Sequence, residues 1–208
     1  MGPQWLDRLE KRWGWLAVPG LASFLAVMSA AVALLTLMNG AFPARLSLDP
    51  QALRHGEVWR ALTFILVPPQ MRPLFLILWI FLIYSYLIRL EAAWGDFKLT
   101  VYCLIGAAAL TAAALAVDIE LSNSIFQASL FLAFARLFPE FEILIFFVLP
   151  VKMKWLALIT WASIALSLLF GGTADRVAWM LGLVNYALFF GREHWQDAQP
   201  AIRRWRRK

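Results

Sequence analysis

Residues 16–38 contain no Asp, Glu, Lys or Arg. A helix needs about 20 apolar residues to cross the hydrocarbon core of a bilayer. A backbone in lipid must satisfy its own hydrogen bonds, so a run of this kind is a helix. Five further apolar runs follow, at 74–88, 99–117, 124–138, 155–170 and 177–190. Charges, a proline or glycines close them: Arg89-Leu90-Glu91, Asp118 and Glu120, Pro139, Gly171-Gly172, and Gly191-Arg192. A shorter apolar stretch, 143–149, sits between Pro139 and Pro150 and reads as a connector packed at the interface. The chain is 62% hydrophobic, where soluble domains are nearer half. The expected fold is therefore an all-α polytopic membrane protein with six transmembrane helices. Residues 1–15 precede the membrane domain, 16–191 form it, and 192–208 are a basic tail.

Orientation follows from the basic residues. With the N-terminus in the cytoplasm, the inner segments hold Arg8, Lys11, Arg12, Arg89, Lys98, Arg136, Lys152, Lys154, Arg192 and the five basic residues of the tail, 14 of 19. The outer segments hold Arg45, Arg54, Arg60, Arg72 and Arg176. Positive charge accumulates inside, so both termini are expected in the cytoplasm. Beside a span, the tail RRWRRK reads as an anchor on anionic lipid rather than a nucleic-acid arm. The first run exceeds the 7–15 residues of a signal-peptide core, so no cleaved signal is expected. One cysteine, Cys103, excludes an intrachain disulfide. With two histidines, His55 and His194, it also argues against a structural zinc site, which usually takes four Cys or His ligands. No cofactor and no metal are expected.

The third run contains GAAALTAAALA, residues 106–116. Small residues let helix backbones approach closely, so this helix belongs at the centre of the bundle. The spacing Ala174–Ala178 suggests that the sixth helix lies close to the fourth. Four of the runs, the second, fourth, fifth and sixth, are short. Their expected lengths of about 21–24 Å at 1.5 Å per residue fall below a hydrocarbon thickness of about 30 Å, which predicts local thinning of the bilayer.

The long outer loop between the first two runs contains GEVWRALTFILVPP, residues 56–69. Glu57 and Arg60 are three apart and meet on one face of a helix. Trp59 pairs an apolar ring with one N–H donor, which suits headgroup depth. Six spans, a long first loop and this Glu-x-Trp-Arg sequence resemble the rhomboid superfamily of intramembrane proteases, over roughly residues 49–191. Arg89-Leu90-Glu91 after YSYLI, and WRALTFILVPP, resemble the derlin branch. Phe138-Pro139 after the fourth run resembles the wider family. The resemblance implies a rhomboid-like bundle with a membrane-associated first loop anchored by Glu57, Trp59 and Arg60.

An active rhomboid carries a Gly-x-Ser-Gly serine at the start of the fourth span and a histidine in Ala-His-x-x-Gly on the sixth. A histidine and an asparagine on the second span support the oxyanion. Serine needs a base within hydrogen-bond reach, and the oxyanion needs preplaced donors. Here family spacing places Ser124 at the nucleophile position, without either glycine. Trp179 stands for the sixth-span histidine in Ala178-Trp179-Met180-Leu181-Gly182. Phe75 and Trp79 stand for the histidine and asparagine of the second span. The sixth run contains no histidine, and His194 lies roughly 22 Å along a helix from Trp179. The ordinary reading of Ser124 is a helix N-cap.

The resemblance thus implies a pseudoprotease, with no peptide hydrolysis, that binds membrane proteins or their transmembrane segments for quality control, trafficking or handover to a membrane-associated degradation machine. Phe75, Trp79 and Trp179 are expected to fill the former wet site with apolar surface that faces the core or a client helix, the core being the expected use. Trp79, Trp155, Trp161 and Trp179 are candidate client contacts, with Trp155 and Trp161 lining a lateral opening between the second and fifth spans. Two other readings stay open. One is a non-standard serine protease pairing Ser124 with His55. The other is a small transporter or channel, for which Asn185 is the clearest polar residue within a span; a single Asn usually makes an interhelical hydrogen bond. A basic tail and no organelle signal favour a bacterial inner membrane.

Overall fold

The computed structural model describes residues 4–145 and 149–205. The end of the basic tail, 206–208, and part of the 143–149 connector lie outside the described residues. The described chain is mostly helical. Four helices are long and apolar enough to cross a membrane: α2 (Leu21–Met38), α5 (Pro73–Trp94), α6 (Asp96–Val117) and α8 (Met153–Phe170). A fifth, α7 (Ser124–Leu137), is apolar but shorter. An amphipathic helix α1 (Gln4–Trp13) precedes them. Two short helices, α3 (Pro50–Arg54) and α4 (Arg60–Thr63), sit in the long loop after α2. The chain closes with α9 (Thr173–Gly182) and α10 (Val184–Trp205).

Several boundaries differ from the sequence reading, each for a physical reason. The first run starts as a 3-10 turn at Gly14–Leu16 and becomes helical only at Leu21, because Pro19 and a left-handed Gly20 (φ 68°) intervene. Helix α5 runs past residue 88 to Trp94, because its two charges find partners. The Glu91 carboxylate accepts the Ala22 N–H at the start of α2 (3.0 Å), and Arg89 lies over the Phe141 ring (4.7 Å). At 22 residues α5 is about 33 Å long, so the second span is not short. The 18-residue α8 reaches about 27 Å. Only α7, with 14 residues, stays near 21 Å.

The sixth run is broken at Leu183. There the Asn185 side-chain oxygen accepts the Tyr186 N–H (2.8 Å), a local bond that competes with the helical ladder. The 143–149 stretch, read as a connector, belongs to a hairpin of β1 (Glu142–Ile145) and β2 (Leu149–Lys152), so the chain is not purely α. Prolines on both sides keep it too short for a helix, and the β-branched Ile143 and Ile145 of β1 favour extended backbone.

The core lies where α6, α7, α9 and α10 meet. A Cβ at Gly106 would lie 2.6 Å from the Asn185 amide nitrogen and 2.7 Å from the Phe126 ring. A Cβ at Gly182 would lie 2.3 Å from an Ile125 methyl. Ala178 is buried, whereas Ala174 is half-buried. The close approach of the last span therefore uses Ala178 and Gly182, not Ala174 and Ala178, and brings α9 against both α6 and α7. A polar node crosses this core. Tyr102 donates to the Ser129 carbonyl (2.8 Å), and Asn185 donates to the Ser129 hydroxyl (3.0 Å). Below it Trp94, Tyr102, Phe189 and Phe190 stack within 6 Å of one another's neighbours, and Trp5 of α1 meets Phe189 edge-on. Lys98 pairs with Asp7 at 2.7 Å and holds α1 against this end.

Candidate functional site: a cleft beneath the first loop

The loop between α2 and α5 folds over the opposite end of the bundle and is held at four points, two that join it to the bundle (at Leu121 and Asp118) and two that brace it from within. Asp49 caps α3 by accepting the Gln51 N–H (2.8 Å). Leu48 forms an antiparallel bridge with Leu121. Arg54 pairs with Asp118 at 2.5 Å, just beyond α6. The fourth tie is Arg60. Its guanidinium is buried and donates to Glu57 (2.7 Å), to the Ala44 carbonyl (2.6 Å) and to the Ser47 carbonyl (3.1 Å). Glu57 and Arg60 therefore meet, as their spacing suggests. Trp59 does not join them: it is 52% exposed and faces outward. The guanidinium holds the loop, and the indole forms part of the loop's outer surface.

Under this loop, where α5, α7 and α8 come together, lies a cleft of about 850 Å³. Trp79 and Ile83 of α5, Ser124 and Gln127 of α7, and Thr160 of α8 face it, and Pro68-Pro69 form part of its roof. Two of these polar groups come from one short segment because α7 starts at Ser124 and one helical turn brings Gln127 onto the same face. Asn123, immediately before, ties α7 to the loop by donating to the Ile65 (2.6 Å) and Val67 (3.0 Å) carbonyls. Those two bonds fix which end of the amide is nitrogen. The other end, Asn123 Oδ1, is buried and meets no donor among the described residues.

Ser124 lines this cleft, and among the described residues neither histidine is bonded to it. Its hydroxyl bonds the Ser122 hydroxyl at 2.7 Å. His55 ends α3 on the exposed face of the loop, and no described hydrogen bond joins it to Ser124. His194 bonds Tyr186 (2.7 Å), its partner two turns earlier on α10. Ser124 is not an N-cap either: Asn123 occupies the cap position of α7, in helical conformation and without a side-chain cap bond.

Phe75, Trp79 and Trp179 do not come together in the cleft. Trp79 does lie on the cleft wall, where its indole N–H donates to Gln127 Oε1 (3.1 Å). Phe75 is 45% exposed and points away from the cleft. Trp179 packs against the core and is not on the wall. One indole bonded to one amide leaves most of the volume open. Trp155 and Trp161 are likewise not beside α5. They flank a separate concavity between α7, α8 and α10, where Trp161 meets Tyr186 edge-on (5.5 Å). A half-turn along α8, Thr160 faces the cleft instead.

Gln127 and Asn123 were not singled out from sequence. A polar residue one turn after the serine position, and an Asn directly before it, were the available signals.

The chain belongs to the Der1-like family, whose model matches residues 18–200. Derlins belong to the rhomboid-like superfamily, and Der1-like proteins are derlin-type membrane proteins involved in quality control and generally catalytically inactive. No curated protein matches this chain.

Proposed function

We propose that this protein is a derlin-type pseudoprotease that holds transmembrane segments of other membrane proteins in the cleft beneath its first loop and hands them on without cutting them. One observation carries the reading. An open cleft of about 850 Å³, with a polar floor of Ser124, Gln127 and Thr160, lies in a position framed by membrane-crossing helices. A polar side chain on a client helix is costly in lipid. In the cleft it meets hydroxyl and amide partners. The same floor lacks the paired base that hydrolysis requires.

The topology that goes with this function has six passes. Helices α2, α5, α6, α7 and α8 make five, and α9 with the first two turns of α10 makes the sixth. Both termini lie in the cytoplasm, residues 16–191 form the membrane domain, and the basic tail lies on the inner leaflet of a bacterial membrane. Local thinning of the bilayer belongs to the side of α7, whose 14 residues make the shortest of these passes. Glu57 and Arg60 anchor the loop roof. The partners are membrane-protein clients and a membrane-associated degradation machine, with no nucleic acid and no cofactor.

The test uses proteoliposomes containing the full chain and a single-span reporter whose helix carries one central Asn. The expected result is co-purification of intact reporter, weakened by Thr160→Phe, with no shortened product by mass spectrometry. A shortened reporter that disappears with Ser124→Ala would replace this reading with the protease.

A further inference from the structure

At the end of the bundle opposite the cleft, a second concavity of about 520 Å³ lies between α7, α8 and α10. Its α7 and α8 walls are apolar, with Leu132 and Ala135 from α7 and Leu158 and Trp161 from α8, and α10 adds the hydrogen-bonded pair Tyr186 and His194. Its side is open: Leu158 is 58% exposed, and on a membrane-crossing helix such an opening faces acyl chains. Its mouth is ionic, because Arg136 near the end of α7 and Lys154 near the start of α8 both line it. The two helix ends set the depth, placing the charges where an apolar channel leaves the bilayer. An apolar channel ending in cations at headgroup depth is the shape of a phospholipid site.

The counter-ions narrow the class of lipid. Neither cation stands alone. Arg136 pairs with Asp197 and faces Glu193 at 3.7 Å. Lys154 (2.6 Å) and Lys152 (2.7 Å) share Glu140. The two lysines hold the Glu140 carboxyl down at about 2, so it stays ionised. A purely anionic headgroup would meet these carboxylates as well as the cations. A headgroup with both a phosphate and a compact primary ammonium complements both signs. Its phosphate would sit toward Arg136 and Lys154, and its N–H donors toward Glu193 and Asp197, the carboxylates that face Arg136 beside the lining. A quaternary choline headgroup offers no N–H donors to those carboxylates.

We propose that this groove binds one phosphatidylethanolamine molecule from the leaflet at this end of the bundle. The site is independent of the cleft and of the client-holding reading. The test is retention by the full chain in detergent, measured by native mass spectrometry, from an equimolar mixture of phosphatidylethanolamine, phosphatidylglycerol and phosphatidylcholine with matched acyl chains. The expected result is one bound phosphatidylethanolamine, enriched about threefold or more over each of the others. Lys154→Gln should erase the headgroup preference, and Leu158→Trp, which fills the groove from its open side, should remove retention. Glycerophosphoethanolamine, the headgroup without chains, should not displace the lipid. Preference for phosphatidylglycerol would reduce the mouth to a cationic patch and overturn the proposal. So would preference for phosphatidylcholine, absence of retained lipid, or a preference unchanged in both variants. Arg136 also ties α7 to α10, so Leu158→Trp, on an exposed face, keeps the result independent of folding.

Discussion

Helices α6 and α8 are both apolar and long enough to cross a membrane, yet 44% of the most apolar window of α6 is buried against 11% for α8. Helix α6 contributes Gly106, Ala107, Ala113 and Ala114 to the core, residues small enough for neighbouring helices to close on them. Only Met153 and Ile164 of α8 are buried. The rest presents Leu158, Ile159, Leu166 and Leu169 outward and leaves Thr160 on the cleft wall. Similar hydropathy therefore serves two purposes. One helix is scaffold, fixed by close packing and the Tyr102–Ser129–Asn185 node. The other is a wall with one face to lipid and one to the cleft. The cleft is lined from the scaffold side by α7 and from the other sides by α5 and α8.

Substitutions should separate the two regions sharply. The largest effect is expected at Arg60. Arg60→Ala removes the buried guanidinium from Glu57, Ala44 and Ser47 together and should lower stability by about 2–3 kcal/mol. Trp59→Ala, at an exposed ring beside it, should cost less than about 1 kcal/mol. Thermal melting of the two variants in detergent checks this ordering, and equal losses would return the anchoring role to the indole. Next comes the scaffold. Gly106→Ala places a methyl against Asn185 and Phe126, and overpacking should cost about 1–3 kcal/mol. Asn185→Leu, which breaks the node, should cost about 1 kcal/mol. On the wall helix, Leu166→Ala should change stability by less than about 0.5 kcal/mol. A large loss there would mean that α8 packs more tightly than its exposure implies.

The smallest effect concerns pH at the hairpin. Glu140 has its carboxyl lowered from 4.5 to about 2, first by its hydrogen bond from Lys152 and then by that from Lys154. A depressed carboxylate stabilises the folded form fully above its unfolded value. That contribution fades as pH falls from about 4.5 to about 2. The protection factors of the β1–β2 amides, taken against the intrinsic exchange rate at each pH, should therefore fall over that window in the native chain and stay level in Glu140→Gln.

How far the sequence carries varies along the chain, and the reason is physical. Apolar runs and the glycine–alanine pattern of α6 state where helices lie and which one is central, because both follow from local composition. The Glu57–Arg60 pair is local too. What depends on distant residues was not legible. The α5 extension needs the start of α2 to satisfy Glu91, and the break at Leu183 comes from a side chain two residues on. The hairpin needs its two halves to meet. At the cleft, Ser124 and Trp79 were reachable by family spacing. Asn123 and Gln127 acquire their roles only from contacts with Ile65, Val67 and Trp79, on segments far away in sequence. Trp155 and Trp161 were assigned to the wrong face of α8 because the fifth run is apolar all round and its rotation is set by Tyr186.

The central claim is that the Thr160 face of α8 meets clients while its other faces meet lipid. A photo-crosslinking amino acid placed at Thr160, and separately at Leu169 on the exposed surface, tests it most directly in membranes that contain the Asn-bearing single-span reporter. The account predicts reporter adducts from position 160, several-fold fewer from position 169, and fewer from position 160 when the reporter's Asn is replaced by Leu. Equal adducts from both positions, or adducts indifferent to the Asn, would contradict it.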